Sequence, residues 1–159
     1  MHWFCETPSL QQIDPAWPAL PDTAMALLPK RRTGSELLGA EQVLAQQMGD
    51  SRLTDFAAGR ACAHLAQKHL GLSAQPILRD ERAPVWPNGQ CGSISHAKDW
   101  ALAAVSTSLR SIGVDVEAQG RVTQKLYRAL FRPEEVNAFS SCSDAAPSVA
   151  FAAKEAGSK

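Results

Sequence analysis

The chain has 159 residues, of which 45% are hydrophobic and 20% are charged, and its formal net charge is zero. This length allows a buried core and predicts one domain or two small ones. Neutral charge gives no indication of a nucleic-acid partner, and no apolar run is long enough to span a bilayer. The N-terminus lacks the pattern of a signal peptide, and the cysteines form no close pair. We therefore expect reduced thiols in a cytoplasmic protein.

Helices precede strands in the first two thirds of the sequence. Frequent prolines up to residue 29 predict short extended pieces and turns. Apolar spacing predicts one helix over 35–48, capped by Ser35, and a second over 52–70, ended by Gly71. Three strand-like runs follow at 93–96, 100–106 and 111–117. Helices followed by strands that look antiparallel predict an α+β fold.

The helical pattern returns after Gly120. Apolar residues over 122–130 predict a helix, and Pro133 with two glutamates after it predicts the start of another. A loop follows, and 148–159 is typical of a helix that the sequence Gly157-Ser158 weakens near its end.

Carboxylates stand at two places late in the chain. Asp115 and Glu117 are two apart in an extended run, so both point to one face, and Glu155 lies four residues before Lys159 in a helical run. Oxygen ligands from two elements suit a Mg²⁺ bound to phosphates. Alternating acids are also typical of a solvated strand face, and Glu155 beside Lys154 is ordinary on an exposed helix. The residues alone leave both interpretations open.

Basic residues with a need for partners stand earlier in the chain. Arg60 lies on a small, apolar helix face, where its charge requires a phosphate or a structural salt bridge. Positive charge also collects at Arg79 and Arg82. Ser95 and His96 are adjacent on a strand and point to opposite faces, so we do not expect a direct catalytic Ser–His pair. His96 is either a donor to an anion or a structural histidine.

Taken in order, these motifs resemble the signature of the 4′-phosphopantetheinyl transferases. The segments that carry the resemblance are Phe56–Ala63, Arg82–Gly89, Gly92–His96, Ile112–Glu117 and Phe151–Lys159. It runs from about residue 35 to the last residue. The chain looks most like the branch that serves siderophore and other nonribosomal peptide synthetases, the enterobactin synthase component D type.

The resemblance implies a fold and an activity. The fold is two similar α+β halves, here 1–109 and an incomplete 110–159, with coenzyme A in the cleft between them. The implied reaction is the Mg²⁺-dependent transfer of 4′-phosphopantetheine from coenzyme A to a serine of an apo acyl or peptidyl carrier protein. Adenosine 3′,5′-bisphosphate is released, and the enzyme is expected to be a monomer without nucleic-acid partners.

The resemblance also implies roles for individual residues. Asp115, Glu117 and Glu155 match the family's metal ligands. Glu155 matches a proposed base for the serine proton, and Lys159 matches a lysine that contacts the phosphates. The remaining cofactor-binding positions are Arg52, Arg60, Arg82, Trp86, Ser95, His96 and Lys154.

The chain departs from the family pattern at its end. Family members of the two-half type continue past the Lys-Glu-x-x-x-Lys motif, on which this chain stops. We therefore expect lower stability and activity than in a full-length relative. Two alternatives stay open: a truncated, non-catalytic relative that binds coenzyme A or a carrier protein, and a Mg²⁺-dependent phosphohydrolase.

Overall fold

The computed structural model describes residues 20–30, 37–81, 83–118, 120–139 and 141–158, and the backbone of 2–5. Its strands are β1 (His2–Cys5), β2 (Thr23–Pro29), β3 (Leu78–Asp80), β4 (Ala83–Val85), β5 (Cys91–His96) and β6 (Trp100–Ser106). Its helices are α1 (Gly39–Ala45), α2 (Asp50–His69), α3 (Tyr127–Leu130), α4 (Pro133–Phe139) and α5 (Ala146–Gly157). The α+β prediction is confirmed. No helix in these ranges is long and apolar enough to cross a membrane.

Four strands form one sheet in the order β1-β2-β6-β5. β6 lies antiparallel to both β2 and β5, so that Leu102 is paired with Leu27 on one side and with Ser95 on the other. β1 is parallel to β2, a pairing that the sequence did not indicate. β3 and β4 form a separate antiparallel hairpin. The sheet positions the candidate site residues Ser95 and His96, which end its edge strand β5.

The two faces of this sheet have different covers. On one face, small residues of β2 and β6 pack against α2, which contributes Cys62 and alanines to the same core. Small side chains let the helix approach closely, and the Cys62 thiol donates a hydrogen bond to the Ala101 carbonyl at 3.1 Å. On the other face, Met25, Leu102 and Ala104 pack against the segment 111–118. Because side chains alternate along a strand, consecutive residues of β5 serve different faces.

The predicted strand over 111–117 is wrong. The segment joins neither sheet in the described part of the chain. Val114 is buried against the sheet, with Ile112 and Val116 packed beside it. Its alternating apolar residues therefore reflect packing on a sheet face, a pattern that a paired strand would share.

Several predicted helices have different ends in the structure. α1 begins at Gly39, and its N-cap is Leu38, whose N–H donates to the Glu41 carboxylate at 2.9 Å. The predicted cap Ser35 lies outside the described residues. The helix expected over 122–130 is a 3₁₀ turn, Gln124–Leu126, followed by the single turn of α3. α5 begins two residues early, because Pro147 fits its first turn.

Candidate functional site

A cavity of about 510 Å³ lies between α2, the β3–β4 hairpin and the end of β5. Its lining is Arg52, Asp55, Phe56, Arg60, Arg79, Pro84, Ile94 and His96. We call it the arginine pocket. Asp55 is the one acid among the described lining residues, and it forms an ion pair with Lys30 at 2.7 Å. Three arginines and a histidine beside a neutralised acid favour a bound anion, and guanidinium groups suit phosphate oxygens.

Arg60 is the most buried of the pocket's arginines, with 6% of its surface exposed. Its Nε donates to the Ile77 carbonyl at 2.9 Å and its Nη2 to the Leu78 carbonyl at 3.0 Å. The guanidinium also lies 4.3 Å from the ring centre of Phe56. Within the described residues no acid lies within ion-pair distance of it. Backbone carbonyls, rather than the structural salt bridge left open by the sequence, therefore satisfy Nε and Nη2, and Nη1 has no hydrogen bond to a described residue.

The charge of Arg60 survives this burial. Burial lowers its pKa to about 10, the nearby negative Glu41 acts in the opposite direction, and the positive Arg79 adds to the lowering. The guanidinium therefore stays protonated at neutral pH. Two like charges that face one cavity leave a favourable place for an anion between them.

Gly59 explains how His96 reaches the arginine pocket. A Cβ at this position would lie 2.7 Å from both the His96 Nε2 and the Ile94 Cγ2. Only a glycine lets β5 come so close to α2. The predicted pair of Arg60 and His96 is thus brought together, and Arg52 joins it from the exposed start of the same helix.

Arg79 is a pocket residue that sequence reasoning did not select. Its position on β3 is set by the hairpin, in which Arg79 is paired with Pro84, another lining residue. The only signal in the sequence was the local collection of positive charge. Arg82 was predicted for this role, but it lies outside the described residues.

Trp86 packs on the sheet beside this cavity. A Cβ at Gly92 would lie 2.5 Å from the Trp86 Cζ2, which shows how closely the indole covers β5. Trp86 is half-buried against the α2 core. It is not among the residues that line the arginine pocket. Its contact with a cofactor stays a prediction.

Ser95 faces away from His96, toward the acidic segment. Its hydroxyl donates to the Asp115 Oδ1 at 2.5 Å and accepts from the Val116 N–H at 3.3 Å. With 5% of its surface exposed, Ser95 holds Asp115 at the end of β5. The two neighbours Ser95 and His96 thus connect Asp115 to the arginine pocket through one strand.

The other carboxylates are not gathered around Asp115. The Glu117 carboxylate accepts a hydrogen bond from the N–H of the next residue, Ala118, at 2.8 Å and forms an ion pair with Arg121 at 3.3 Å. Glu155 is exposed on α5. Oxygen donors of this kind suit Mg²⁺. The described part of the chain contains no group of three His, Cys, Asp or Glu side chains already close enough to hold a metal ion, so the metal-ligand set stays a prediction.

Gly113 places α5 next to this segment. A Cβ on Gly113 would overlap the Ala156 carbonyl, so the backbones of the two segments are in direct contact. This brings the last turns of α5, with Glu155, beside the 111–118 segment. Lys159 lies outside the described residues.

Lys154, a predicted cofactor-binding residue, lies among residues of α3 and α4. Its ammonium donates to Glu135 at 2.6 Å and to the Leu130 carbonyl at 3.1 Å. It also lies 5.1 Å from the ring centre of Phe131. These contacts tie α5 to α3 and α4, and a cofactor role for Lys154 stays a prediction.

Comparison with known proteins extends this description. Residues 40–106 match the family model of the 4′-phosphopantetheinyl transferase N-terminal domain. Residues 111–159 match that of the 4′-phosphopantetheinyl transferase superfamily. The arginine pocket thus falls in the first match, and the three carboxylates fall in the second.

Curated relatives agree with both matches. Enterobactin synthase component D of Escherichia coli K12 is 35% identical over 119 residues, which cover 72% of this chain and 57% of the relative. The 4′-phosphopantetheinyl transferase PptT of Mycobacterium tuberculosis is 32% identical over 117 residues, which cover 72% of this chain and 52% of PptT. The 4′-phosphopantetheinyl transferase Npt of Nocardia iowensis is 35% identical over 99 residues, which cover 60% of this chain and 45% of Npt.

The chain spans about half the length of these curated relatives. One solved structure, a holo-(acyl-carrier-protein) synthase from Bacillus anthracis in complex with CoA, aligns with a TM-score of 0.45 and 25% identity. The alignment covers 53% of this chain and 92% of that one. From the two family matches and these relatives, the chain belongs to the 4′-phosphopantetheinyl transferase superfamily, on the side of enterobactin synthase component D.

Proposed function

We propose that this chain binds coenzyme A and transfers its 4′-phosphopantetheine group to a serine of an apo carrier protein. The observation that carries the proposal is the arginine pocket, joined by one strand to Asp115. Coenzyme A offers a 3′-phosphate and a pyrophosphate, and the pocket offers three arginines and His96. The Nη1 of Arg60 has no hydrogen bond among the described residues and would donate to this ligand.

In the proposed reaction the carrier serine oxygen forms a bond to the phosphorus next to the pantetheine arm. The bond from that phosphorus to the bridging oxygen breaks, and adenosine 3′,5′-bisphosphate leaves. The serine proton passes to a carboxylate, for which Glu155 is our candidate. The pocket's cations hold the leaving group and favour the charge that develops on it.

Mg²⁺ dependence is part of the proposal and rests on the family resemblance. A divalent cation would neutralise the pyrophosphate in such a reaction. Asp115, Glu117 and Glu155 would hold it, but Glu117 would first have to exchange Arg121 for the cation. Each of these roles can be tested separately.

The carrier partner is proposed from the surface that follows the acidic segment. Lys125, Arg128 and Arg132 are exposed there, together with Leu126, which is 44% exposed. Exposed cations beside an apolar side chain favour an acidic protein surface. The likeness to enterobactin synthase component D makes a carrier domain of siderophore assembly the first to test. A monomeric state and a cytoplasmic location stay predictions.

The test is incubation of the 159-residue chain with coenzyme A, Mg²⁺ and an apo carrier protein, followed by intact mass measurement of the carrier. We expect one phosphopantetheine mass per carrier, no gain with Asp115→Ala, and an unchanged gain with Arg110→Met, which alters an exposed arginine. Coenzyme A binding without any mass gain would favour a non-catalytic binding module. Phosphate release from simple esters without carrier modification would favour a phosphohydrolase.

A further inference from the structure

Glu41 is a carboxylate with no exposed surface, and no role in the proposed reaction uses it. Three donors surround it. The Leu38 N–H lies 2.9 Å from Oε2, while the Ile77 N–H and the His64 Nε2 lie 2.7 Å and 3.0 Å from Oε1. A buried carboxylate is tolerated only when it is satisfied in this way. The donors come from three places: the start of α1, α2 and the segment before β3.

Ile77 connects Glu41 to the arginine pocket. Its N–H is held by Glu41, and its carbonyl accepts from the Nε of Arg60. The next carbonyl, of Leu78, accepts from the Nη2 of Arg60, and the residue after it is Arg79. Ile77 has no exposed surface, so both hydrogen bonds are shielded from water. Ile77 thus links the Glu41 carboxylate to the Arg60 guanidinium through one hydrogen bond on each of its two backbone groups, and Arg79 follows two residues later.

The negative charge of Glu41 also supports Arg60, because it favours the protonated guanidinium. Burial raises its pKa, but hydrogen bonds from His64, Ile77 and Leu38 outweigh burial, so the pKa lies below its usual range. Glu41 is therefore ionised at neutral pH. Its negative charge favours the protonated form of Arg60, against burial and against Arg79.

We propose that Glu41 is a positioning residue for the arginine pocket. It fixes Ile77, and through the carbonyls of Ile77 and Leu78 it fixes the guanidinium of Arg60. The same contact sets where β3 begins and so places Arg79 on the cavity. The proposal rests on the proposed function only for the identity of the ligand, coenzyme A.

Gln67 provides a matched comparison for Glu41 and lies on α2, the helix that carries Arg60. It is also fully buried, accepts from the Gln75 N–H at 2.9 Å and donates to Gln90 at 2.9 Å. It therefore anchors the same connecting segment two residues before Ile77. It has no bond to the residues that hold Arg60. Gln67→Ala should destabilise the fold without disturbing the pocket.

The experiment measures two properties of Glu41→Gln, Glu41→Asp and Gln67→Ala. One is the hydrogen exchange rate of the Arg60 Nε–H in the free protein, followed by NMR. The other is the affinity for coenzyme A, measured by calorimetry at a temperature where all variants are folded. We expect both Glu41 variants to exchange faster and to bind about tenfold more weakly, and Gln67→Ala to keep both values within about twofold.

Equal behaviour of the Glu41 variants and Gln67→Ala at matched stability would overturn the proposal. Glu41→Asp keeps the charge but is one methylene shorter, so it supplies the test if Glu41→Gln does not fold. Failure of the unmodified protein to bind coenzyme A would count against the proposed function instead. In that case the exchange rate of the Arg60 Nε–H still decides the role of Glu41.

Discussion

The arginine pocket and the carboxylate region meet at the end of β5, but packing prepares them to different degrees. In the pocket, Arg60 is buried and held by two carbonyls, and Gly59 brings His96 against the same helix. In the carboxylate region, only Asp115 is held by a buried neighbour, while Glu117 is paired with Arg121 and Glu155 is exposed. The two regions therefore differ in how much must move before a ligand binds.

This difference separates binding from chemistry. A pocket whose side chains are already fixed loses little conformational freedom when an anion enters. Carboxylates that must first change partners add a cost to the step that needs them. We expect substitutions in the pocket to affect affinity for coenzyme A, and substitutions around Asp115 to affect cation binding and transfer.

The largest effect is expected for Arg60→Met. This change removes the buried charge and leaves the carbonyls of Ile77 and Leu78 without their donor. Affinity for coenzyme A should fall about 100-fold, or about 2.7 kcal/mol, as measured by calorimetry. Arg110→Met removes an exposed arginine and serves as the control. An unchanged affinity in Arg60→Met would show that the pocket is not the coenzyme site.

The same substitution at two glycines should separate the regions. In Gly59→Ala, overpacking against His96 and Ile94 outweighs the gain in helix propensity, and we expect a loss of about 1–2 kcal/mol in the free energy of unfolding. In Gly113→Ala, the obstacle is the Ala156 backbone, which cannot rotate away, so α5 must move. Urea unfolding, coenzyme A binding and carrier transfer are measured for both. Gly113→Ala should keep binding and lose transfer; the reverse pattern would contradict the division.

Ser95→Ala tests the support of Asp115. Loss of this hydroxyl should weaken the affinity for a divalent cation by about tenfold, because partners of metal-binding carboxylates have effects of this size. Mn²⁺ binding followed by electron paramagnetic resonance measures it without turnover. Ser93→Ala is the matched control, since Ser93 is buried on the same face of β5 and its hydroxyl has no partner among the described residues. Equal affinities of the two variants would argue against a positioning role for Ser95.

Lowering the pH should destabilise the fold more through the buried carboxylate of Glu41 than through the exposed carboxylate of Glu135. The pKa of Glu41 is lowered in the folded state, so its contribution to stability is present above the unfolded pKa, near 4.5, and is lost as the pH falls through the folded value. The Lys154 hydrogen bond similarly lowers the pKa of Glu135, which solvent screens. Urea midpoints between pH 7 and pH 3 should depend less on pH in Glu41→Gln than in Glu135→Gln. Identical slopes would be inconsistent with this assignment.

The smallest effect is expected for Arg121→Ala. The pair between Glu117 and Arg121 is weak, because 69% of the Arg121 side chain is exposed to solvent, although only 6% of the Glu117 side chain is. Its removal frees Glu117, so Mn²⁺ affinity should rise about twofold, the size of a weak surface ion pair. Arg110→Ala serves as the control. A lower affinity would mean that Arg121 assists the cation rather than competing with it.

The sequence predicted much of the fold where a local signal was strong. α2 and β6 were predicted nearly to the residue, because apolar periodicity and small strand residues also set their packing. The 111–117 segment was misassigned, since alternation does not distinguish strand pairing from packing on a sheet face. The N-cap of α1 is Leu38 and not the predicted Ser35, because the Glu41 side chain accepts a hydrogen bond from the Leu38 N–H.

The candidate site divides along the same line. Sequence alone indicated the types of residue needed for phosphate and cation chemistry, together with their order, and from that order the family. Tertiary structure decided that Arg79 joins Arg60, that Ser95 holds Asp115, and that Glu117 and Lys154 bond elsewhere. Those outcomes depend on contacts between residues far apart in the chain. Gly59 on α2, for example, lies against His96 and Ile94 on β5, and a pattern of neighbouring residues carries no information about that contact.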